Sequence, residues 1–411
     1  MFRSTLIDAI IIIAMVGIAI GRIPKLRMDR PGMALAAAAA LLAVGALSPE
    51  DAFAAVDIGT LALLLAMMII VANLRMAGFF ALAGGRILRI ARGPRGLLAL
   101  VVAASGLLSA FFLNDTICLV FAPLVAEVAR RSKRDALPYL IAVAIAANIG
   151  SSATIIGNPQ NMLIGAQSGI PFGFFAARLA PPALAGLLVA WLAVVLLHPR
   201  EFRTGSLLVA VEENRTPVDV LLLWKSLGAS ALMLVLLLAG VAAPVAALIA
   251  AAILLVTRRV DPDRVFGHVD FGLLVFFAGL FILTRAIERT ETFTRLVDTV
   301  LPALSGSKGR PPVGLFSLAV AALSNLVSNV PAVMLLRPLV PRFADQGGVW
   351  LLMAMASTYA GNLTLLGSVA NLIVAEGAKR AGVAITFWRY FRVGFPVTII
   401  TIAIGAFWLS L

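Results

Sequence analysis

Pro49-Glu50-Asp51-Ala52-Phe53-Ala54-Ala55-Val56-Asp57-Ile58-Gly59 returns later in the chain as Pro262-Asp263-Arg264-Val265-Phe266-Gly267-His268-Val269-Asp270-Phe271-Gly272. Pro, Phe, Val, Asp and Gly recur at one fixed spacing. Further along, Asn114 and Pro123 recur as Asn329 and Pro338. Thr154-Ile155-Ile156-Gly157-Asn158-Pro159-Gln160-Asn161 recurs as Thr364-Leu365-Leu366-Gly367-Ser368-Val369-Ala370-Asn371. Three landmarks in one order indicate two homologous halves. In a membrane chain, such halves predict a secondary transporter with its site where the halves meet.

The composition supplies the membrane. The chain of 411 residues is 61% hydrophobic and 13% charged, against about 25% charged in soluble domains. Its mean hydropathy is +1.03. Each spanning helix takes roughly 20 apolar residues, which leaves room for about ten and for no large soluble domain. The net charge of +13 would suit nucleic acid in a soluble protein. Here the basic residues sit in short loops between apolar runs, as in membrane proteins, and no aromatic-basic interleaving for single strands is present. A nucleic-acid partner is therefore not expected; the bilayer is. The single cysteine, Cys118, excludes an internal disulfide and a cysteine metal cluster. It reads as a small buried hydrophobe. The apolar run after Met1-Phe2-Arg3-Ser4 lacks a small-residue cleavage site and reads as the first helix.

Spans are predicted near 5–21, 32–48, 56–78, 137–160, 172–197, 218–239, 241–257, 270–287, 349–373 and 386–410. Basic groups then fall on one side: Arg22, Lys25, Arg27 and Arg30; Arg86, Arg89, Arg92 and Arg95; Arg130, Arg131, Lys133 and Arg134; Arg200 and Arg203; Arg258, Arg259 and Arg264; Lys379 and Arg380. That side is cytoplasmic by the positive-inside rule, which puts both termini outside a plasma (inner) membrane. An odd number of spans separates equivalent points, so the second copy is inverted. The first repeat is expected at 1–205 and the second at 218–411, each with three spans, a hairpin and two spans. A cytoplasmic linker, 206–217, joins them.

The hairpins are predicted at 97–129 and 312–341. Polar tips, Leu113-Asn114-Asp115-Thr116 and Ser328-Asn329, interrupt short apolar arms. We read them as re-entrant, one from the cytoplasm and one from outside. Non-helical backbone at membrane depth must line a cavity or be buried in protein. Two further interruptions meet that need: Ala147 to Asn161 in the fourth span and Ser357 to Asn371 in the ninth. Broken helices expose amides that attract anions and carbonyls that attract cations. The fold class expected is thus all-α and polytopic, with broken helices at mid-membrane.

Candidate site residues follow. An acid at membrane depth is costly and suggests function, so Asp115 is the candidate coupling group, carrying a proton or ligating sodium. Asn114, Asn161, Asn329 and Asn371 both donate and accept, which suits an anion beside a cation. Thr154 and Thr364 share that logic, and Thr116, Asn158, Ser328 and Ser368 complete the expected substrate set. Asn114, Gly150, Ser151, Asn329 and Gly361 complete the expected coupling-ion set. Asp57 and Asp270 lie at span entrances and read as helix caps. No cofactor and no resident metal are expected, only a coupling proton or sodium ion. The tips carry one Asp and no His, too little for a hydrolytic centre, so an enzyme is not expected.

With these motifs in view, the chain resembles the ion-transporter superfamily over essentially its whole length. That group includes arsenite-efflux permeases, anion permeases, sodium-dicarboxylate symporters and sodium/proton antiporters. Gly157-Asn158-Pro159-Gln160-Asn161 is similar to the Gly-Thr-Pro-Pro-Asn segment of the dicarboxylate branch, and Ser328-Asn329 to the start of its Ser-Asn-Thr motif. Leu113-Asn114-Asp115 stands where the first Ser-Asn-Thr would sit, and that Asn-Asp pair looks more like the arsenite-efflux branch. The resemblance implies elevator-like alternating access, a homodimer, and efflux of arsenite or antimonite by proton antiport. An arsenite-stimulated ATPase would be the partner. Sodium-coupled import of a dicarboxylate or other anion, or sodium/proton exchange, is the alternative.

Overall fold

The computed structural model describes residues 2–23, 28–203, 218–256, 260–304 and 311–411. The expected linker 206–217, and Lys25, Arg27, Arg258 and Arg259, lie outside the described residues. A two-residue antiparallel pair, β1 (Arg22–Ile23) with β2 (Met28–Asp29), is the only strand structure among the described residues. The first half runs α1 (Phe2–Ile20), α2 (Arg30–Ala43), α3 (Pro49–Ala55), α4 (Ile58–Met76), α5 (Phe79–Arg89), α6 (Pro94–Phe111), α7 (Asn114–Arg131), α8 (Ala136–Ser151), α9 (Pro159–Ser168), α10 (Phe172–Leu197) and α11 (Pro199–Arg203). The second runs α12 (Val220–Leu238), α13 (Ala243–Val256), α14 (Pro262–Phe266), α15 (Phe271–Glu288), α16 (Glu291–Leu304), α17 (Val313–Val327), α18 (Asn329–Leu336), a 3-10 turn (Arg337–Arg342), α19 (Gln346–Ala360), α20 (Val369–Arg380) and α21 (Phe387–Ser410).

Among the described residues, seven helices (α1, α4, α6, α10, α12, α15 and α21) are long and apolar enough to cross a bilayer, and α2, α8, α13 and α17 are shorter apolar helices. Large apolar side chains such as Leu196, Val235 and Phe407 stand exposed on the outside, as a lipid-facing surface requires. The protein is a multi-pass membrane protein. The fourth and ninth spans are interrupted, as the sequence predicts. Within 137–160 the helix stops at Ser151 and resumes at Pro159, and within 349–373 it stops at Ala360 and resumes at Val369.

Local chemistry sets the helix starts. Asp57 Oδ1 accepts from the Thr60 N–H at 2.6 Å, and Asp270 Oδ1 from the Leu273 N–H at 3.0 Å. The acids of the repeated segment are N-caps, which satisfy otherwise unpaired amides. Helix α8 has no polar stripe, and every residue but Leu137 is buried; a helix apolar all round belongs in a core. Helix α19 is buried from Val349 to Ala360. Helices α6 and α8 approach backbone to backbone at Gly150. A Cβ there would lie 2.0 Å from the Gly106 carbonyl oxygen.

The helices pack in two groups. In one, α6 and α7 pack on α8, α7 on α20, α17 on α19, and α10 on α21. In the other, α2 packs on α15, α4 on α13, and α12 on α13 and α4. Contacts such as α4 with α9 and α15 with α18 join the groups. Helices α5 and α16 depart from the sequence expectation, which placed Arg86 and Arg89 in a loop. Both are too short to span and carry charge on one face, so a search for long apolar runs passes over them. Helix α5 lies against α7, with Gly84 facing Leu124 and Phe121. In α16, Phe293, Val297 and Leu301 face the core at helical spacing.

Candidate functional site

Each interrupted helix is held open by an asparagine one turn into the helix that follows. In the first half α8 stops at Ser151 and α9 starts at Pro159. Asn158 caps α9, its Oδ1 accepting from the Asn161 N–H at 2.9 Å. The Asn161 amide then reaches back and donates to the carbonyls of Ser151 (3.3 Å), Ser152 (3.4 Å) and Thr154 (3.0 Å). In the second half Ser368 caps α20, accepting from the Ala370 N–H at 3.3 Å. The Asn371 amide donates to the carbonyls of Gly361 (2.7 Å) and Thr364 (3.0 Å). Both side chains satisfy carbonyls that the broken helix leaves without partners.

Each hairpin tip docks on the break of its own half. Helices α6 and α7 are joined by Phe112 and Leu113 alone, so Asn114, Asp115 and Thr116 form the first turn of α7 and not a free loop. The Asn114 N–H donates to the Gly157 carbonyl at 3.1 Å, and Thr154 Oγ1 donates to the Ala110 carbonyl. In the second hairpin, Asn325 donates to the Ala360 carbonyl at 2.9 Å, and Ser324 Oγ donates to Asn329 Oδ1 at 2.8 Å.

Between the halves runs a polar seam. Asn148 donates to Asn362 Oδ1 and to Asn371 Oδ1, each at 2.9 Å. Its own Oδ1 accepts from Asn114 and from Ser368, each at 3.1 Å. Asn158 and Gln160 donate to Thr358 Oγ1 at 3.3 and 3.2 Å. All of these side chains are buried. Asn148, Gln160, Asn325, Thr358 and Asn362 were absent from the sequence-derived site. They lie inside or beside the interruptions read there, so the signal was available as amides next to helix breaks.

The sequence-derived residues now separate by occupancy. Thr154, Asn158, Asn161, Ser368 and Asn371 are bonded to protein. Ser151 Oγ accepts from Asn158 at 2.9 Å and donates to the Asn148 carbonyl at 2.8 Å. Gly150 is pressed on Gly106, and the Gly361 carbonyl is taken by Asn371. Others keep open valence among the described residues. Asp115 is half-buried, with no hydrogen bond or ion pair. The hydroxyls of Thr116, Ser328 and Thr364 and the Asn329 amide hydrogens make no hydrogen bond. Asn114 Oδ1, Asn161 Oδ1 and Asn325 Oδ1 are buried without partners, a costly state that invites a ligand. Ser328 sits at φ 78°, ψ 160°, a region that is essentially glycine's and whose strain concentrates at functional sites. No hydrogen bond joins the two hairpin tips directly among the described residues. Asn114 reaches the second half through Asn148.

The arrangement offers hydroxyls, amides and one carboxylate, and no cationic side chain. The segments 110–116, 148–161, 324–330 and 357–371 hold no Lys, Arg or His. A family model described as "CitMHS: Citrate transporter" matches residues 10–360. The silicon efflux transporter LSI3 of Oryza sativa subsp. japonica is 32% identical, with 93% of each chain covered. A Dictyostelium discoideum transporter named arsB is 24% identical over 92% of this chain and 87% of its own. The crystal structure of the Alcanivorax borkumensis YdaH transporter has a TM-score of 0.59 at 15% identity, covering 99% of this chain and 97% of that one, which is a likeness of fold.

Proposed function

The chain belongs to the CitMHS citrate transporter family, and from that premise we propose that this secondary transporter exports a small hydroxylated oxyacid, arsenous acid foremost, in exchange for protons. Membership makes it a membrane transporter of anions or related solutes, not an enzyme.

One observation carries the finer reading. The Asp115 carboxylate has no ion-pair partner among the described residues, and the Asn-, Ser- and Thr-rich segments of the hairpin tips and helix breaks contain no cation. A citrate trianion would meet no positive side chain there. A neutral oxyacid presents only hydroxyl donors and acceptors, which Thr116, Ser328, Asn329 and Thr364 can match. The silicon efflux activity in the rice relative's name and the arsB name of the Dictyostelium relative agree with such a solute. Asp115 then carries the coupling proton, the role expected of an acid at membrane depth.

The halves 1–205 and 218–411 act as inverted repeats. The matching bonds of Asn161 and Asn371 support this, as does the crosswise pairing of Asn148 with Ser368 and of Thr358 with Asn158. Helices α6–α10 and α17–α21 move as one unit against α1–α4 and α12–α15, with α5 and α16 as the links. The protein works in the plasma membrane as a dimer with its termini outside.

The test is arsenite uptake into everted vesicles with an acid interior and no sodium. Uptake that collapses with the pH gradient is the expected result. Gradient-independent uptake, or none above empty vesicles, defeats it. The family's description favours a second reading, sodium-coupled import of citrate or a dicarboxylate, with sodium at Asp115, Asn114, Gly150, Ser151, Asn329 and Gly361. Sodium-dependent citrate uptake in right-side-out vesicles would establish that instead.

A further inference from the structure

The charged end of the bundle that carries Arg130, Arg131, Arg134 and Arg380 holds two adjoining cavities, of about 460 and 450 Å³, which share Asp135 and Val383. They differ in how their arginines are satisfied. In the second cavity Arg130 pairs with Glu127 at 2.8 Å, Arg134 with Glu201 at 3.6 Å and Arg380 with Glu376 at 3.4 Å. In the first, lined by Asp135, His198, the turn 382–384, Arg389 and Arg392, neither arginine has a carboxylate partner. Arg389 donates only to the Ala384 carbonyl at 3.3 Å, and Arg392 makes no hydrogen bond or ion pair among the described residues. Asp135 is the one acid in this cavity, and its Oδ1 is occupied by the Leu137 N–H at 3.0 Å. Burial holds the His198 imidazole below its ordinary pKa, so the ring adds no charge at neutral pH. The cavity is therefore a cationic pocket with two unanswered guanidinium groups. It lies at the start of the 24-residue α21, whose N-terminal amides add positive potential.

The same helix carries an aromatic ladder beside the arginines. Phe387 stacks on Phe391 with centroids 5.8 Å apart, and Phe391 meets Phe395 at 5.3 Å. Trp388 packs edge-on against both Phe387 and Phe391. Trp388 is 73% exposed and Phe395 46%. At 100° per residue, Phe391, Phe395, Trp388, Arg392 and Arg389 follow one another around α21. Tyr390, Val393 and Val397 are the side turned inward. An exposed Trp beside Arg, above Phe that face outward, is the profile of a headgroup level with acyl chains beneath it.

We propose that this cavity binds the phosphate of an anionic glycerophospholipid on Arg389 and Arg392, with an acyl chain lying along Trp388, Phe391 and Phe395. The pocket shares no residue with the hairpin tips or the helix breaks and does not depend on which solute is carried. Guanidinium groups take phosphate oxygens bidentately, and an apolar track leading from the phosphate fits a lipid where a free anion would have no use for it.

The experiment is native mass spectrometry and melting of the purified protein in a non-ionic detergent, titrated with phosphatidylglycerol, phosphatidylcholine or inorganic phosphate. Phosphatidylglycerol should bind and raise the melting temperature, and phosphatidylcholine should not. Arg389→Gln or Arg392→Gln should each weaken binding by on the order of fivefold. Arg342→Gln, at the separate cavity beside α16, should leave it unchanged. Equal binding of phosphatidylcholine, or undiminished binding by both Arg variants, overturns the proposal. So does displacement of the lipid by millimolar phosphate, which would make this a free-anion site. Should the Arg variants fail to fold, brominated lipids keep the test on the wild-type chain. Brominated phosphatidylglycerol should quench a tryptophan signal that Trp388→Phe removes, and equal quenching by brominated phosphatidylcholine overturns the proposal.

Discussion

Asn148 and Asn371 meet amide to amide at 2.9 Å, across 223 residues of sequence. Asn148 also uses its second hydrogen on Asn362 and accepts from Asn114 and Ser368, so all four of its hydrogen-bonding positions are filled by protein. Asn148→Ala strips partners from several buried amides at once. Each unsatisfied group costs about 1–3 kcal/mol. The expected result is a melting temperature in detergent several degrees below wild type. An unchanged melting temperature would show that the seam contributes nothing to the fold.

Asp115 stands in the opposite condition, with no protein partner to lose. Asp115→Asn should therefore shift stability by less than about 1 kcal/mol while abolishing gradient-driven uptake. Melting and vesicle uptake measured on one preparation separate the two effects. Wild-type pH dependence of uptake in the Asn variant would remove Asp115 from the coupling role.

Gly150→Ala places a methyl into the Gly106 backbone. Neither helix can yield locally, because the nearest atoms are main chain. The expected cost is about 3 kcal/mol, read as lost folded yield on size exclusion. Gly228→Ala in α12, where nothing lies within 4 Å, should be neutral or stabilising by up to about 1 kcal/mol.

Ser328→Gly removes the strain of a positive φ and should raise stability by about 1 kcal/mol. It also deletes a free hydroxyl at the hairpin tip, so uptake should fall as stability rises. Ser328→Ala should lose uptake without the gain in melting temperature. Equal melting of the two variants would show that the backbone there carries no strain.

Asp51 and Arg289 form an exposed pair, at 2.6 Å, between α3 and the end of α15. Hydrogen bonding from the guanidinium holds the Asp51 carboxyl below the usual carboxylate range. A depressed acid stabilises the fold above its unfolded pKa and ceases to do so as pH falls through its folded one. The melting gap between wild type and Asp51→Asn should thus be small but present at neutral pH and should close as the medium becomes strongly acidic. High salt should shrink it too, since the pair is in water. A gap that widened on acidification would contradict this.

The frame of the molecule was legible because membranes punish exceptions. Long apolar runs mark spans, and the Gly, Asn and Pro at 157–161 had to interrupt one. Asp57 and Asp270 were legible as caps because both precede apolar helices. What escaped was contact across the halves. Nothing local distinguishes Asn148, which is a hub, from Asn161, which braces its own break. Helices α5 and α16 escaped for another reason: they lie below spanning length, and their amphipathic period was hidden by neighbouring runs. Arg389 and Arg392 of α21 went unread inside the predicted span 386–410, because the sequence does not show which arginines lack an acid.

The seam at Asn148 also bears on how the chain is made. Its partners Asn362 and Asn371 are synthesised more than two hundred residues after it. While the ribosome works through the second half, the first is already in the bilayer with amides that only the unborn half can satisfy. The Asn148 amide hydrogens therefore wait for their partners until about the last eighth of the chain has been made. A chain that stops before Asn362 leaves both amide hydrogens of Asn148 without the partners they have in the finished fold.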